Sequence, residues 1–218
     1  AGLIEATSSA GMSITSTVAN SGTLQANGGN LTVAGVNNTG VLLVTRGTLV
    51  VDGSISGAGA VNINGGTADF TSTFTEHVAF IGTTGELELG ESQSYTGIIS
   101  HFSKTGSTAL DLDDIGFVSA GEATFSGTST KGVLAVTDGT HTAKIHLSGD
   151  YLGVTFTASS DGHGGTTIVA SLTDAPIVTH RFVSAMAGLA GSGGEVVALG
   201  AVARMQTVLF ASPHTMTA

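Results

Sequence analysis

Along much of the chain, apolar and polar residues take turns. In "GTLVVDGSISGAGAVNINGG" (residues 47–66), Leu49 and Val51 fall on one side of a two-residue alternation, and Val50 and Asp52 fall on the other. Further along the same phrase Val61 and Ile63 oppose Asn62 and Asn64, and in "GELELG" Leu87 and Leu89 oppose Glu86 and Glu88. A period of two is that of a strand with one face buried and one face wet. Asn27-Gly28, Asp52-Gly53 and Asn64-Gly65 separate such runs, and these pairs admit positive φ at little cost.

The runs also recur. "GTLQAN" at Gly22, "GTLVVD" at Gly47, "GTADFT" at Gly66, "GELELG" at Gly85 and "GSTALDLD" at Gly106 start 25, 19, 19 and 21 residues apart. Short strands with glycine corners suit an antiparallel sandwich, in which the repeat is a hairpin, or a parallel β-solenoid, in which the repeat is one coil stacked on the last. A hairpin has no reason to hold one length through five units. A coil does, because each residue sits above its counterpart. Small residues on the inward side, Ala26 and Ala68, also suit a narrow core. The expectation is an all-β chain with a parallel β-solenoid over residues 1–117.

From about Phe117 the pattern loosens but stays β. "GVLAVTDG", "AKIHLSG" and "GVTFTASSDG" read as hairpin strands and "TTIVASL" as the last strand, which makes residues 118–172 a closing module. Residues 173–218 change character. Phe182, Ala185, Met186 and Leu189, then Ala198, Val202, Met205 and Leu209, fall at helical spacing on either side of "GSGG". The pattern predicts a short helical tail, suited to cover an end of the stack.

Composition narrows the class. The chain has 218 residues, 33 of them glycine and 2 proline, so glycine does most of the turning. Apolar residues make up 41% and charged residues 10%, a balance that favours folding over disorder. The net charge is −10 and the six Lys and Arg are scattered singly, which excludes a phosphate-backbone binder. There is no cysteine, hence no disulfide framework and no thiolate metal site. No apolar run is long enough to span a bilayer as a helix. The sequence opens at Ala1 without a signal-peptide pattern, so the expectation is a processed chain, a fragment, or export by a route that leaves no N-terminal mark.

"ANSGTLQANGGNLTVAG" and "GTLVVDGSISGAGAVNINGG" resemble the repeats of large bacterial surface and exported proteins, the passenger regions of autotransporter-like and filamentous-haemagglutinin-like adhesins. "YTGIISHFSKTGSTALDLDDIGF" (residues 95–117) and "LAVTDGTHTAKIHLSGDYLGVTFTASSDGHGGTTI" (residues 134–168) resemble a module that closes such repeats in large secreted proteins of α-proteobacteria. The resemblance spans roughly residues 1–170. It implies an extracellular or cell-surface location and an adhesive or biofilm-matrix role. It leaves the ligand open, because such modules also accompany secreted enzymes.

The candidate chemistry is sparse. A lyase needs a base beside cations that neutralise a sugar carboxylate, and a hydrolase needs paired carboxylates at a set separation. Arg46, Lys104 and Lys131 stand apart in sequence, and "GSISG" places Ile55 where a nucleophile elbow needs serine, so no catalytic residue is assigned. The densest acidic stretch is "LDLDDIGF". Asp111 and Asp113 share one strand face and could begin a calcium site; the plainer reading is a solvated outer face beside buried Leu110, Leu112 and Ile115. In "SSDGHGGT", Asp161 and His163 could add metal ligands, whereas a tight hairpin turn explains every residue without one. His146 shares an outward face with Lys144 and Ser148 and reads, like His141, as a surface histidine. The candidate metal ligands are therefore Asp111, Asp113 and Asp161, for calcium, with no other cofactor implied.

The functional expectation is a non-enzymatic structural protein: a surface or biofilm-matrix solenoid that self-associates, as an oligomer or filament, through an exterior of uncharged Thr, Asn and Ser rows, with polysaccharide a possible contact. The alternatives are a polysaccharide-acting β-helix enzyme and a secretion or anchoring module of a larger exported protein.

Overall fold

The computed structural model describes residues 2–173. Within them the chain winds through six coils, each giving one strand to each of two nine-stranded sheets. The coils are β1 (Leu3–Ala6) with β2 (Met12–Asn20), β3 (Thr23–Asn27) with β4 (Leu31–Asn38), and β5 (Val41–Arg46) with β6 (Thr48–Val51) and the short β7 (Ile55–Gly57). They continue with β8 (Ala60–Ile63) and β9 (Thr67–Phe70), β10 (His77–Phe80) and β11 (Gly85–Leu89), and β12 (Ile98–Ser100) and β13 (Thr108–Leu112). The first sheet runs β1-β3-β5-β8-β10-β12 and the second β2-β4-β6-β9-β11-β13, all parallel. The second half of β4 pairs instead with β7, which gives the upstream coils a narrow third face. The expected parallel β-solenoid is the fold observed.

Stacking is in register, so inward residues form columns. In the first sheet Ile4, Leu24, Leu42, Val61, Val78 and Ile99 succeed one another from coil to coil. In the second, Met12, Leu31, Leu49, Ala68, Leu87 and Leu110 do the same. From Leu24 and Leu31 onward these columns are fully buried. The coil lengths come from the second column: Leu31, Leu49, Ala68, Leu87 and Leu110 lie 18, 19, 19 and 23 residues apart. "GTLQAN" belongs to the other sheet, as β3, and its counterpart above "GTLVVD" is "GNLTVA". The 25-residue step between the first two phrases therefore mixes sheets, because both sheets begin their strands with the same glycine turn.

Two devices hold the corners. Glycines stack where the chain turns between sheets: Gly66 has φ 71°, and a Cβ there would collide with the carbonyl oxygen of Gly47 one coil upstream. Asparagines fill a second corner from inside. Asn20 donates to Asn38 Oδ1 (2.8 Å), and Asn38 donates to Glu76 Oε2 (2.7 Å), with Asn38 fully buried. This asparagine ladder faces inward, not outward as an adhesive row would.

The two ends of the stack differ. Downstream, β14 (Ala123–Gly127), β15 (Lys131–Thr137) and β16 (Thr142–Ser148) form an antiparallel meander whose last strand joins β12 in parallel. On the other sheet the hairpin of β17 (Val154–Ser160) and β18 (Thr166–Leu172) adds antiparallel to β13. Aromatic rings cover the core there: Phe102, Phe125, Tyr151 and Phe156 pack with centroids 5.8–6.3 Å apart. Upstream, β1 and β2 are edge strands, and the inward residues Ile4 and Met12 are 38% and 39% exposed where Leu24 and Leu31 are at 0%. The expected helical tail lies outside the described residues.

The corner geometry predicts that Gly66→Ala costs about 3 kcal/mol, from left-handed strain plus a backbone clash. Gly121→Ala, where a Cβ meets nothing within 4 Å, stays within about 0.5 kcal/mol of the parent protein. Urea denaturation midpoints measure both.

Candidate functional site

The register that stacks leucines inside also stacks whatever faces out. On the outer face of the second sheet Val50, Asp69, Glu88 and Asp111 succeed one another over four coils, and Thr67 and Glu86 form a parallel row beside them. Asp69, Glu88 and Asp111 thus lie on consecutive strands, roughly 4.8 Å apart along the stack. Two like charges about 5 Å apart repel by about 1 kcal/mol in bulk water and by more where water is excluded. The expected uncharged exterior is absent from this face, where an acidic ladder takes its place.

The ladder ends in a cleft. Asp113 follows β13 directly, and the antiparallel register that sets Asp111 opposite Thr167 folds the β17–β18 turn back toward it. That turn carries Asp161 and His163, which line the cleft with Glu86, Glu88, Asp111 and Asp113. One carboxylate oxygen from each of Asp111, Asp113 and Asp161 lies within 4.8 Å of the others. The three residues singled out in the sequence, 50 positions apart at the extremes, are thus brought together. The turn is also the tight hairpin turn expected: Asp161 Oδ1 accepts from the backbone N–H of His163 (2.7 Å), Gly164 (2.9 Å) and Gly165 (3.0 Å). Close approach depends on Gly165, where a Cβ would sit 2.7 Å from Leu112 O and from Asp161 Oδ2.

The electrostatics follow from burial and crowding. Desolvation, then the charges of Asp113 and Asp52, push Asp69 up to about 6. Desolvation, then Asp69, Asp113, Asp111 and Glu86, raise Glu88 to about 7. Asp111 rises to about 6 through desolvation, then Asp161, Asp113 and Glu86, against a lowering hydrogen bond from Thr167. Asp113 is raised by desolvation, Asp161 and Asp114, with His163 opposing. For Asp161 desolvation acts upward, but the three turn N–H groups and His163 outweigh it and the carboxyl is lowered. Oδ1 of Asp69 and Oδ1 of Asp111 are fully buried and accept no hydrogen bond.

Cations stay away from this cleft. The ion pair among the described residues is His141 with Asp138, 2.9 Å apart in an exposed turn. Lys104 Nζ lies 5.5 Å from the ring centroid of Tyr151, and Arg46 is exposed on β5. His146 is exposed on β16 with Lys144 and Ser148, as its alternation implied. Asp114, third of the "LDLDD" acids, turns away from the cleft and accepts from the Ser92 hydroxyl and the Gln93 backbone N–H (3.2 Å). Asp69, Glu86 and Glu88 were not among the residues picked from the sequence. Aligning "GTADFT" on "GELELG" sets Asp69 over Glu88, but two additional residues before β13 shift Asp111 out of that alignment.

The crowded carboxyls predict a pH dependence. Their folded-state values of about 6 to 7 exceed the ordinary 3.8–4.5, so protonation favours the folded state. That stabilisation is full below about pH 4 and is lost as pH rises through 6 to 7. In chelator, the melting temperature rises when pH is lowered from about 7.5 to about 5; a fall over that interval contradicts the electrostatic description. Asp161 and Asp138, both lowered, act in the opposite direction, and only below about pH 4.

Comparison of the chain with protein-family models, with curated proteins and with solved structures gives no match, so function is argued from geometry alone.

Proposed function

We propose that the chain is a structural, adhesin-like β-solenoid of the bacterial cell surface or extracellular matrix, a stiff spacer whose 218 residues pair with a second copy along the edges of β1 and β2. The fold is compatible with such a structural role, and the observation that carries the reading is the inequality of the two ends. Downstream, antiparallel hairpins and a cluster of aromatic rings cover the last coil. Upstream, among the described residues, no strand pairs beyond β1 and β2, and Ile4, Met12 and Leu3 stand 38%, 39% and 58% exposed. Edge strands in monomeric proteins are usually shielded by charge, proline or a covering loop. β1 and β2 carry one charged residue between them, Glu5, and no proline. A second copy meeting this end about a two-fold axis supplies strand edges and apolar side chains in kind.

Pairing through one end gives dimers, in preference to the unlimited filament that end-to-end growth would give. A polysaccharide-acting enzyme is the second reading. It is favoured by Glu88, whose carboxyl, held at about 7 beside other acids, is poised as a general acid is. It is weakened by the cleft's lining, which includes no Lys or Arg to meet an acidic sugar.

Sedimentation velocity of the full chain over a wide concentration range tests the proposal. The expected result is a reversible monomer–dimer equilibrium that Met12→Glu shifts at least tenfold toward monomer. A parent chain that stays monomeric throughout, or a variant that dimerises equally well, overturns it.

A further inference from the structure

We propose that Asp111, Asp113 and Asp161, with Glu88 beside them, bind a hard divalent cation, calcium, which ties the β17–β18 hairpin to the last two coils. The ligands come from three separate elements. Glu88 lies on β11, Asp111 on β13 with Asp113 just beyond it, and Asp161 in the turn between β17 and β18. An ion held by all of them joins coil to coil and coil to hairpin. The site is at the opposite end of the stack from β1 and β2, so it stands or falls independently of pairing at the open end.

An acidic cluster alone is no site, since exposed carboxylates gather on many surfaces. What sets this one apart is Asp111, the most buried of the trio, whose Oδ1 is sealed from solvent and accepts no hydrogen bond. A buried acceptor without a donor is costly and rare in folded proteins. Among the described residues no Lys or Arg forms an ion pair that would meet it. A cation in the cleft supplies the missing partner and cancels the repulsion along the ladder.

The geometry suits one ion. Calcium binds oxygens at about 2.4 Å, so two ligands on opposite sides of it lie up to about 4.8 Å apart. That is the span within which the three carboxylate oxygens lie. Asp111, Asp113 and Asp161 bring one carboxylate oxygen each to a common point, and Glu88 lines the same cleft. Asp161 Oδ1 is already engaged by three N–H groups, so second carboxylate oxygens and water complete calcium's need for about six to eight ligands. The same N–H groups fix the Asp161 carboxylate and leave its Oδ2 free, beside Gly165. A ligand set of oxygens in a half-open, irregular cleft suits calcium better than magnesium, which demands a near-ideal octahedron and keeps its waters.

The test uses the full chain, stripped with chelator and dialysed, at neutral pH and constant ionic strength. Titration calorimetry with calcium chloride is expected to show one saturable site with Kd on the order of 10⁻⁴ M or tighter. Thermal unfolding at a hundredfold excess of calcium over Kd is expected about 5–10 °C higher than in chelator. Asp111→Asn and, separately, the more exposed Asp113→Asn are expected to keep a metal-free melting temperature at or above the parent's and to lose the calcium shift. Asp150→Asn, in an exposed turn elsewhere, keeps it. Absence of saturable heat, an equal shift with magnesium, or a calcium shift that survives both Asp111→Asn and Asp113→Asn overturns the proposal.

Discussion

Parallel, in-register stacking is the constraint on which the rest of this structure depends. Each residue has the same kind of neighbour above and below, roughly 4.8 Å away, so a favourable choice at one coil is favourable at every coil. Leu24, Leu42, Val61, Val78 and Ile99 repeat one burial through successive turns. The rule applies equally to unfavourable choices. A side chain at Gly66 meets the backbone of Gly47, and an acid at position 88 meets acids at 69 and 111. Leucine columns hold the stack together without help. An acid column demands a proton, a cation or a distortion.

The same constraint makes the ends the distinctive parts of the molecule. Inside the stack every coil is covered on both sides, and a coil at an end is covered on one. The downstream solution changes the pairing: strands turn antiparallel, and rings as large as Phe125, Tyr151 and Phe156 fill space that a further coil would have filled. Among the described residues the upstream end shows no such change. Ile4 and Met12 lie there as any inward mid-stack residue would, without the neighbour that buries it. Among the described residues the two ends of the stack are therefore finished in different ways.

Much of this was legible in the sequence. The two-residue alternation at Leu49/Val51 and Leu87/Leu89 identified inward residues, and small Ala26 and Ala68 indicated a narrow core. Assignment of phrases to sheets was not legible, because glycine turns open strands in both, and "GTLQAN" was aligned with the wrong set. Asn62 and Asn64 lie outward as the alternation implied, but the buried pair Asn20 and Asn38 was not foreseen, because both sit in corners, where alternation no longer says which way a side chain points. Asp111, Asp113 and Asp161 were picked out by chemistry alone. Their meeting required the β13–β18 register, and the rest of the ladder, Asp69 and Glu88, required knowing where two additional residues are absorbed.

Native-state hydrogen exchange, read residue by residue, tests the stacking account most directly. Coils covered on both sides should open only with global unfolding, and the uncovered coil should open locally. The account predicts slowest exchange in residues 42–44, 61–63 and 87–89, with far weaker protection in β1 and the first half of β2. Protection that is uniform along the chain, or greatest in β1 and β2, would contradict it.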